Sequence, residues 1–196
     1  SAMLAEIIEP VEKYNIWIAG IQVTDANKGG ITGSGITGTV SYDSDTNTLT
    51  LQNANITYGS GDTIYTILQD LTVIFHGENT VTSTSINDYA AFNTISGGNL
   101  TFKGSGSLNA SGKYSGIYAF ENIYIESGTI VSTGKNAGIC SNRGTVKISG
   151  GDLTSTATGT GGFGICRDWG RLNLTVSGDA AVTAIGTNGA KALDSD

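Results

Sequence analysis

Ile123-Tyr124-Ile125, Ser127-Gly128-Thr129-Ile130-Val131-Ser132 and Gly138-Ile139-Cys140 follow one another with only short links between them. The first segment puts an apolar residue at every second position, which is the strand signature. The second follows a Gly-containing corner and reads as another short strand. The third is a Gly-Ile pair reached through a polar loop. The same order then repeats as Val146-Lys147-Ile148, Ser149-Gly150-Gly151-Asp152-Leu153-Thr154-Ser155 and Gly164-Ile165-Cys166.

Related runs extend in both directions. Counted from Leu49, Leu71, Leu100, Ile123, Val146 and Leu172, the steps are 22, 29, 23, 23 and 26 residues. The Gly-Ile pairs at Gly116, Gly138 and Gly164 are 22 and 26 residues apart. A recurring three-strand unit with variable loops is the layout of a solenoid. One unit cannot bury its own inward Leu, Ile and Val, but stacked units bury them as ladders and pair their backbones. The expected fold is therefore all-β: a right-handed, single-stranded parallel β-helix of about five to six coils. A β-sandwich also has many short strands, but it favours hairpins with two-residue turns over whole recurring units.

Residues 4–48 break the pattern. Ile16-Trp17-Ile18-Ala19-Gly20-Ile21-Gln22-Val23-Thr24 reads as one strand. Gly38-Thr39-Val40-Ser41-Tyr42 and Thr48-Leu49-Thr50-Leu51 read as two strands joined by Asp43-Ser44-Asp45-Thr46-Asn47. The whole region is expected to cap the coils of residues 49–196, since a bare terminal coil exposes an edge. Leu4 to Lys13 is the one segment with a weak helical pattern. Ser1-Ala2-Met3 reads as a cloning remnant, and no cap signal follows Lys191, so the chain is expected to continue in a longer natural protein.

Composition narrows the function. The chain has 196 residues and a net charge of −7, with 29 Gly, one Pro and only 14% charged residues. Disordered chains are rich in charge and Pro, so this is a folded chain whose polarity comes from Ser, Thr and Asn. Ten scattered Lys and Arg give no basic patch for nucleic acid or for an anionic membrane. No apolar run is long enough to span a bilayer. The expected state is a monomer.

Catalytic and metal signals are thin. His76 ends Leu71-Thr72-Val73-Ile74-Phe75-His76, where alternation turns it outwards. No Gly-x-Ser-x-Gly elbow is present, and zinc-site spacings are missing. Asp152 and Asp179 follow Gly at equivalent corners and read as turn residues; with Asp168 in one cleft they would suggest a hydrolase or lyase. Asp43-Ser44-Asp45-Thr46-Asn47 resembles half of a calcium loop, but Thr48 stands where that loop needs Gly and Ala54 where it needs Glu. A hairpin turn is the preferred reading, so no catalytic residue, metal or cofactor is expected, with calcium as the minor alternative. Cys140 and Cys166 would stack in successive coils near disulfide distance, but parallel side-chain vectors favour free thiols over the bond.

The best candidate site follows those cysteines. Tyr118-Ala119-Phe120-Glu121-Asn122, Ser141-Asn142-Arg143-Gly144 and Arg167-Asp168-Trp169-Gly170 align on Gly144 and Gly170, which stacks Arg143 over Trp169. Tyr118, Phe120, Glu121, Arg143, Arg167, Asp168 and Trp169 combine apolar ring faces with charged hydrogen-bonding groups, the types that recognise sugars. A stabilising ladder, with a Glu121–Arg143 pair and Arg143 against Trp169, accounts for the same residues and is the preferred account of them.

Asn15 to Thr24, Gly38 to Asp43 and Asn47 to Ile56 together resemble modules of large surface proteins from anaerobic gut bacteria. The later Ile-x-Ile-x-Ser/Gly-Gly-x-Leu/Ile units are similar to bacterial β-helix domains described as carbohydrate-binding. The resemblance covers nearly the whole chain and lies in strands and turns, so it transfers no catalytic residue. It implies a secreted or cell-surface module that binds polysaccharide or a host or cell-wall glycan, or mediates adhesion, without catalysis. A structural spacer in a surface protein and a polysaccharide lyase or glycoside hydrolase are the alternatives.

Overall fold

The computed structural model describes residues 10–194. The cloning remnant and most of the Leu4–Lys13 segment lie outside them; Lys13 itself opens a strand. Every regular element described is a strand. They form a parallel β-solenoid of about six turns with three faces.

Face A is built from the first half of Thr48–Tyr58, then Asp70–His76, Asn99–Gly104, Ile123–Ile125, Val146–Ile148 and Leu174–Val176. Face B takes the second half of Thr48–Tyr58, then Glu78–Ser83, Ser107–Gly112, Thr129–Gly134, Asp152–Ala157 and Ala181–Gly186. Because Thr48–Tyr58 bends across both, A and B form one 12-stranded sheet. Face C stacks Ile64–Thr66, Phe92–Thr94, Ser115–Ala119, Ala137–Ser141, Phe163–Arg167 and Lys191–Leu193. These pairings are parallel, which a sandwich of hairpins would not show.

Period-two alternation sends one side chain in two to the interior. Leu71, Leu100, Ile123, Val146 and Leu174 form one ladder on face A. Ile64, Phe92, Ile117, Ile139 and Ile165 form another on face C, each at most 1% exposed. Phe92 meets Phe102 edge-on across the interior, with centroids 5.2 Å apart. His76, as alternation requires, is exposed, and its Nδ1 lies 3.0 Å from Ser105 Oγ.

The Gly-Ile pairs have a steric cause. A Cβ at Gly138 would strike Ser155 Oγ and the Thr156 amide, and one at Gly164 would strike the Ile185 amide. Face C passes so close behind face B here that only Gly fits. The buried hydroxyls of Ser132 and Ser155 use this closeness, donating to the carbonyls of Gly138 and Gly164 at 2.7 Å each.

The repeat steps need two corrections. Leu49 pairs with Val73 and Val146 with Leu174, so those steps are 24 and 28 residues (73 − 49 and 174 − 146) rather than 22 and 26. Leu71 and Val73, like Leu172 and Leu174, alternate in the same phase. A slip of two residues keeps every side chain on its own face, so the apolar pattern cannot choose between the registers.

The single strand expected over Ile16–Thr24 is instead a hairpin, Lys13–Ile18 against Ile21–Thr24. Its loop is Ala19-Gly20, with φ of +48° and +77°. Two consecutive positive φ values make the two-residue turn whose twist matches paired strands. The Ala19 amide donates to the Thr63 carbonyl at 2.7 Å. Residues 16–18 then pair antiparallel with Ile64–Thr66 and continue face C by two strands. Ile36–Asp43 pairs antiparallel with Thr48–Tyr58, as expected, around the Asp43–Asn47 turn.

Candidate functional site

The outward positions of face C carry an unusual series. Successive strands place Trp17, Tyr65, Asn93, Tyr118, Cys140 and Cys166 in register. The loops that lead into these strands add Asp62, Tyr89 and Tyr114, and Tyr58 comes from the end of face B. Each of these aromatic side chains is half-buried. Trp17 leans on Tyr65 with centroids 5.4 Å apart, and Tyr114 meets Tyr118 edge-on at 5.6 Å.

Three hollows lie along this face. The first, ≈ 350 Å³, is lined by Trp17, Tyr58, Asp62, Tyr65 and Tyr89. The second, ≈ 270 Å³, shares Asp62 and Tyr89 with it and adds Asp88, Asn93, Tyr114 and Tyr118. The third, ≈ 340 Å³, shares Tyr114 with the second and adds Phe163, Asp168 and the two cysteines. Shared lining residues set them next to one another along the solenoid axis, a trough in three parts.

Its polar groups are held in place. Asp62 accepts from the Ala90 amide at 2.7 Å and from Asn93 Nδ2 at 2.8 Å. Burial holds the Asp62 carboxyl above the usual carboxylate range. Asn93 Oδ1 is buried with no partner among the described residues, an acceptor of the kind that seeks a donor. The Tyr114 hydroxyl donates to Asp168 Oδ2 at 3.2 Å; burial raises its pKa, and the Asp168 charge adds to the effect. Asn142 Nδ2 donates to the Tyr118 hydroxyl at 2.7 Å.

Cys140 and Cys166 are bonded to each other, with Cα atoms 4.7 Å apart, which corrects the free thiols expected from sequence. Register neighbours on parallel strands fall inside the Cα range that a disulfide spans. With Asp168 they are the one group of potential metal-ligating atoms among the described residues. Both sulfurs are joined to each other, so neither is a thiolate.

The residues singled out from sequence divide between two places. Tyr118 and Asp168 line the trough. Phe120, Arg143 and Trp169 sit at the adjoining corner between faces C and A, where the Arg143 guanidinium lies 5.0 Å from the Phe120 centroid and 5.8 Å from that of Trp169. Trp169 is 66% exposed. Glu121 forms no ion pair with Arg143; the pairs among the described residues are Lys28–Asp25 and Lys113–Asp88. The Arg167 guanidinium donates to the carbonyls of Arg143 and Arg171, stapling the corner loops together. Asp152 and Asp179 stand near the A–B corner and do not join Asp168 in its hollow. In the Asp43–Asn47 turn, Asp43 accepts from the Asp45 amide and the Thr46 hydroxyl at 2.9 Å each, and Asn47 Oδ1 accepts from the Tyr42 hydroxyl at 2.7 Å. These are the local bonds of an Asx turn.

Sequence reading missed Trp17, Tyr65, Tyr89, Tyr114 and Asp62. One signal was available: Tyr65, Tyr118 and Cys140 each follow an inward Ile in the third strand of a coil, so outward rings on that face were countable.

The model of a family described as carbohydrate-binding domain-containing protein matches residues 19–168. No curated protein and no solved structure matches the chain.

Proposed function

The chain belongs to this carbohydrate-binding domain-containing family, and from that premise we propose that it is an extracellular, non-catalytic module that grips polysaccharide in the trough of face C. The observation that carries the reading is the adjacency of three hollows lined by half-buried aromatic rings. Pyranose rings have apolar faces that stack on Trp and Tyr, and hydroxyls that pair with carboxylates and amides. Trp17, Tyr65, Tyr89 and Tyr114 supply the first kind of surface. Asp62, Asn93 and Asp168 supply the second. The extracellular placement is supported by the Cys140–Cys166 bond, since disulfides persist in oxidising compartments. Attachment to a glycan-bearing surface follows as the biological role.

The test is binding to a panel of plant, host and bacterial polysaccharides, with Tyr65→Ala, Tyr114→Ala and Trp169→Ala beside the parent chain. Saturable binding should weaken roughly tenfold or more in the two trough variants, the loss of one stacked ring, and should change little in Trp169→Ala. Loss confined to Trp169→Ala would move the site to the C–A corner. No binding by the folded parent would favour a structural spacer.

A further inference from the structure

Resting on the glycan reading of the trough, we infer that its ligand is an extended chain of about five sugars without acidic groups, lying parallel to the solenoid axis and seated coil by coil.

The direction comes from the way the hollows connect. They meet along the axis through Asp62, Tyr89 and Tyr114, each contributed by the loop ahead of a face-C strand. A ligand running along one strand would use one hollow and leave the other two. A ligand following the axis uses all three.

The length comes from the register. Trp17, Tyr65, Asn93, Tyr118, Cys140 and Cys166 occupy equivalent outward positions on neighbouring strands. Neighbouring strands are about 4.8 Å apart, so five steps span roughly 24 Å. A pyranose in an extended chain advances by nearly one such step, so a linear chain meets a fresh set of side chains at each coil. Trp17 marks one end of the row and Cys166 the other, with Phe163 on the same strand as Cys166.

The charge comes from the lining. Asp62, Asp88 and Asp168 contribute carboxylates, and none of the residues lining the three hollows is Lys or Arg. Lys113 is at the rim, 3.4 Å from Asp88, and Lys191 lies over the Phe163 ring at 5.9 Å. The whole chain carries −7. A polyuronate or sulfated chain would bring like charge against these carboxylates, with cations at the rim and none in the lining.

The experiment is calorimetric titration of the folded chain with neutral β-1,4-linked gluco-, xylo- and manno-oligosaccharides of one to eight sugars, and with oligogalacturonates of matched length. Affinity for at least one neutral series should climb steadily to five or six sugars and then level off. The oligogalacturonate of equal length should bind at least tenfold more weakly. Trp17→Ala and Phe163→Ala should each weaken the octamer several-fold, and the octamer-to-trimer affinity ratio of each variant does not depend on how much protein is folded. A trimer that binds as tightly as the octamer, or an oligogalacturonate that matches its neutral counterpart, overturns the inference and leaves glycan binding intact. Silence from every oligosaccharide also overturns it, and only silence from the polysaccharide panel as well removes the proposed function.

Discussion

Asp62 shows how one side chain can be exposed to two demands. It lines two of the three hollows, yet it is also held by the Ala90 amide and by Asn93. Burial penalises its charged form, so its folded pKa stands above the ordinary 3.8. As pH falls, the folded chain therefore takes up this proton before the unfolded chain does. The contribution of Asp62 to stability is complete below 3.8 and is lost as pH rises through the folded value. Asp25 and Asp43, held low by Lys28 and by the Asp45 amide respectively, act in the opposite sense. The prediction is a difference: urea midpoints of the parent minus those of Asp62→Asn should increase as pH is lowered from 7 to 4. A difference that is flat with pH would show that Asp62 is not desolvated. Arg167 makes the complementary point. Its residue type suits a sugar ligand, and its guanidinium donates to backbone carbonyls at the corner loops while its buried Nε has no partner among the described residues.

At the scale of the strand, the Gly-Ile pair marks where two faces of a coil touch. Gly116, Gly138 and Gly164 each lie against backbone of face B, and the inward Ser132 and Ser155 bond across the contact. Gly138→Ala adds one carbon against the Ser155 hydroxyl and the Thr156 amide, and moving the hydroxyl away still leaves the backbone clash. The expected cost is about 1–3 kcal/mol of stability, read as a lowered Tm, whereas Gly29→Ala, where a Cβ meets open space, should leave Tm nearly unchanged. Equal losses at both positions would refute the close approach. The Ala19-Gly20 hairpin belongs to this scale too. Its turn folds Ile21–Thr24 back onto the strand of Trp17, whose other edge pairs with the strand of Tyr65, and composition gave little reason to expect such a turn at an Ala.

For the whole molecule, a solenoid is a chain of neighbours, and each coil is stabilised by the two it touches. Ile139 in the fourth coil is fully buried between Ile117 and Ile165. Leu193 holds the same position on the last described strand and is 38% exposed. Ile139→Ala should cost about 2–5 kcal/mol, as for other buried large-to-small changes, and Leu193→Ala well under half of that. Denaturant unfolding of the two variants checks it, and equal costs would mean that the terminal coil is as tightly packed as the middle ones. The trough is also a property of this scale, because no single coil contains a hollow.

Alternation and recurrence are local properties, so the sequence by itself determined the β class, the three-strand unit, the inward residues and the outward direction of His76. Stacking fidelity is not local. The register of Leu49 on Val73 and of Val146 on Leu174 was decided only in three dimensions, because a two-residue slip keeps the same face inward. The Cys140–Cys166 bond was decided there as well, by the closeness of neighbouring strands. So was the trough: Trp17, Tyr65, Tyr114 and Phe163 are far apart in the chain, and only the winding of the coils brings them to one face.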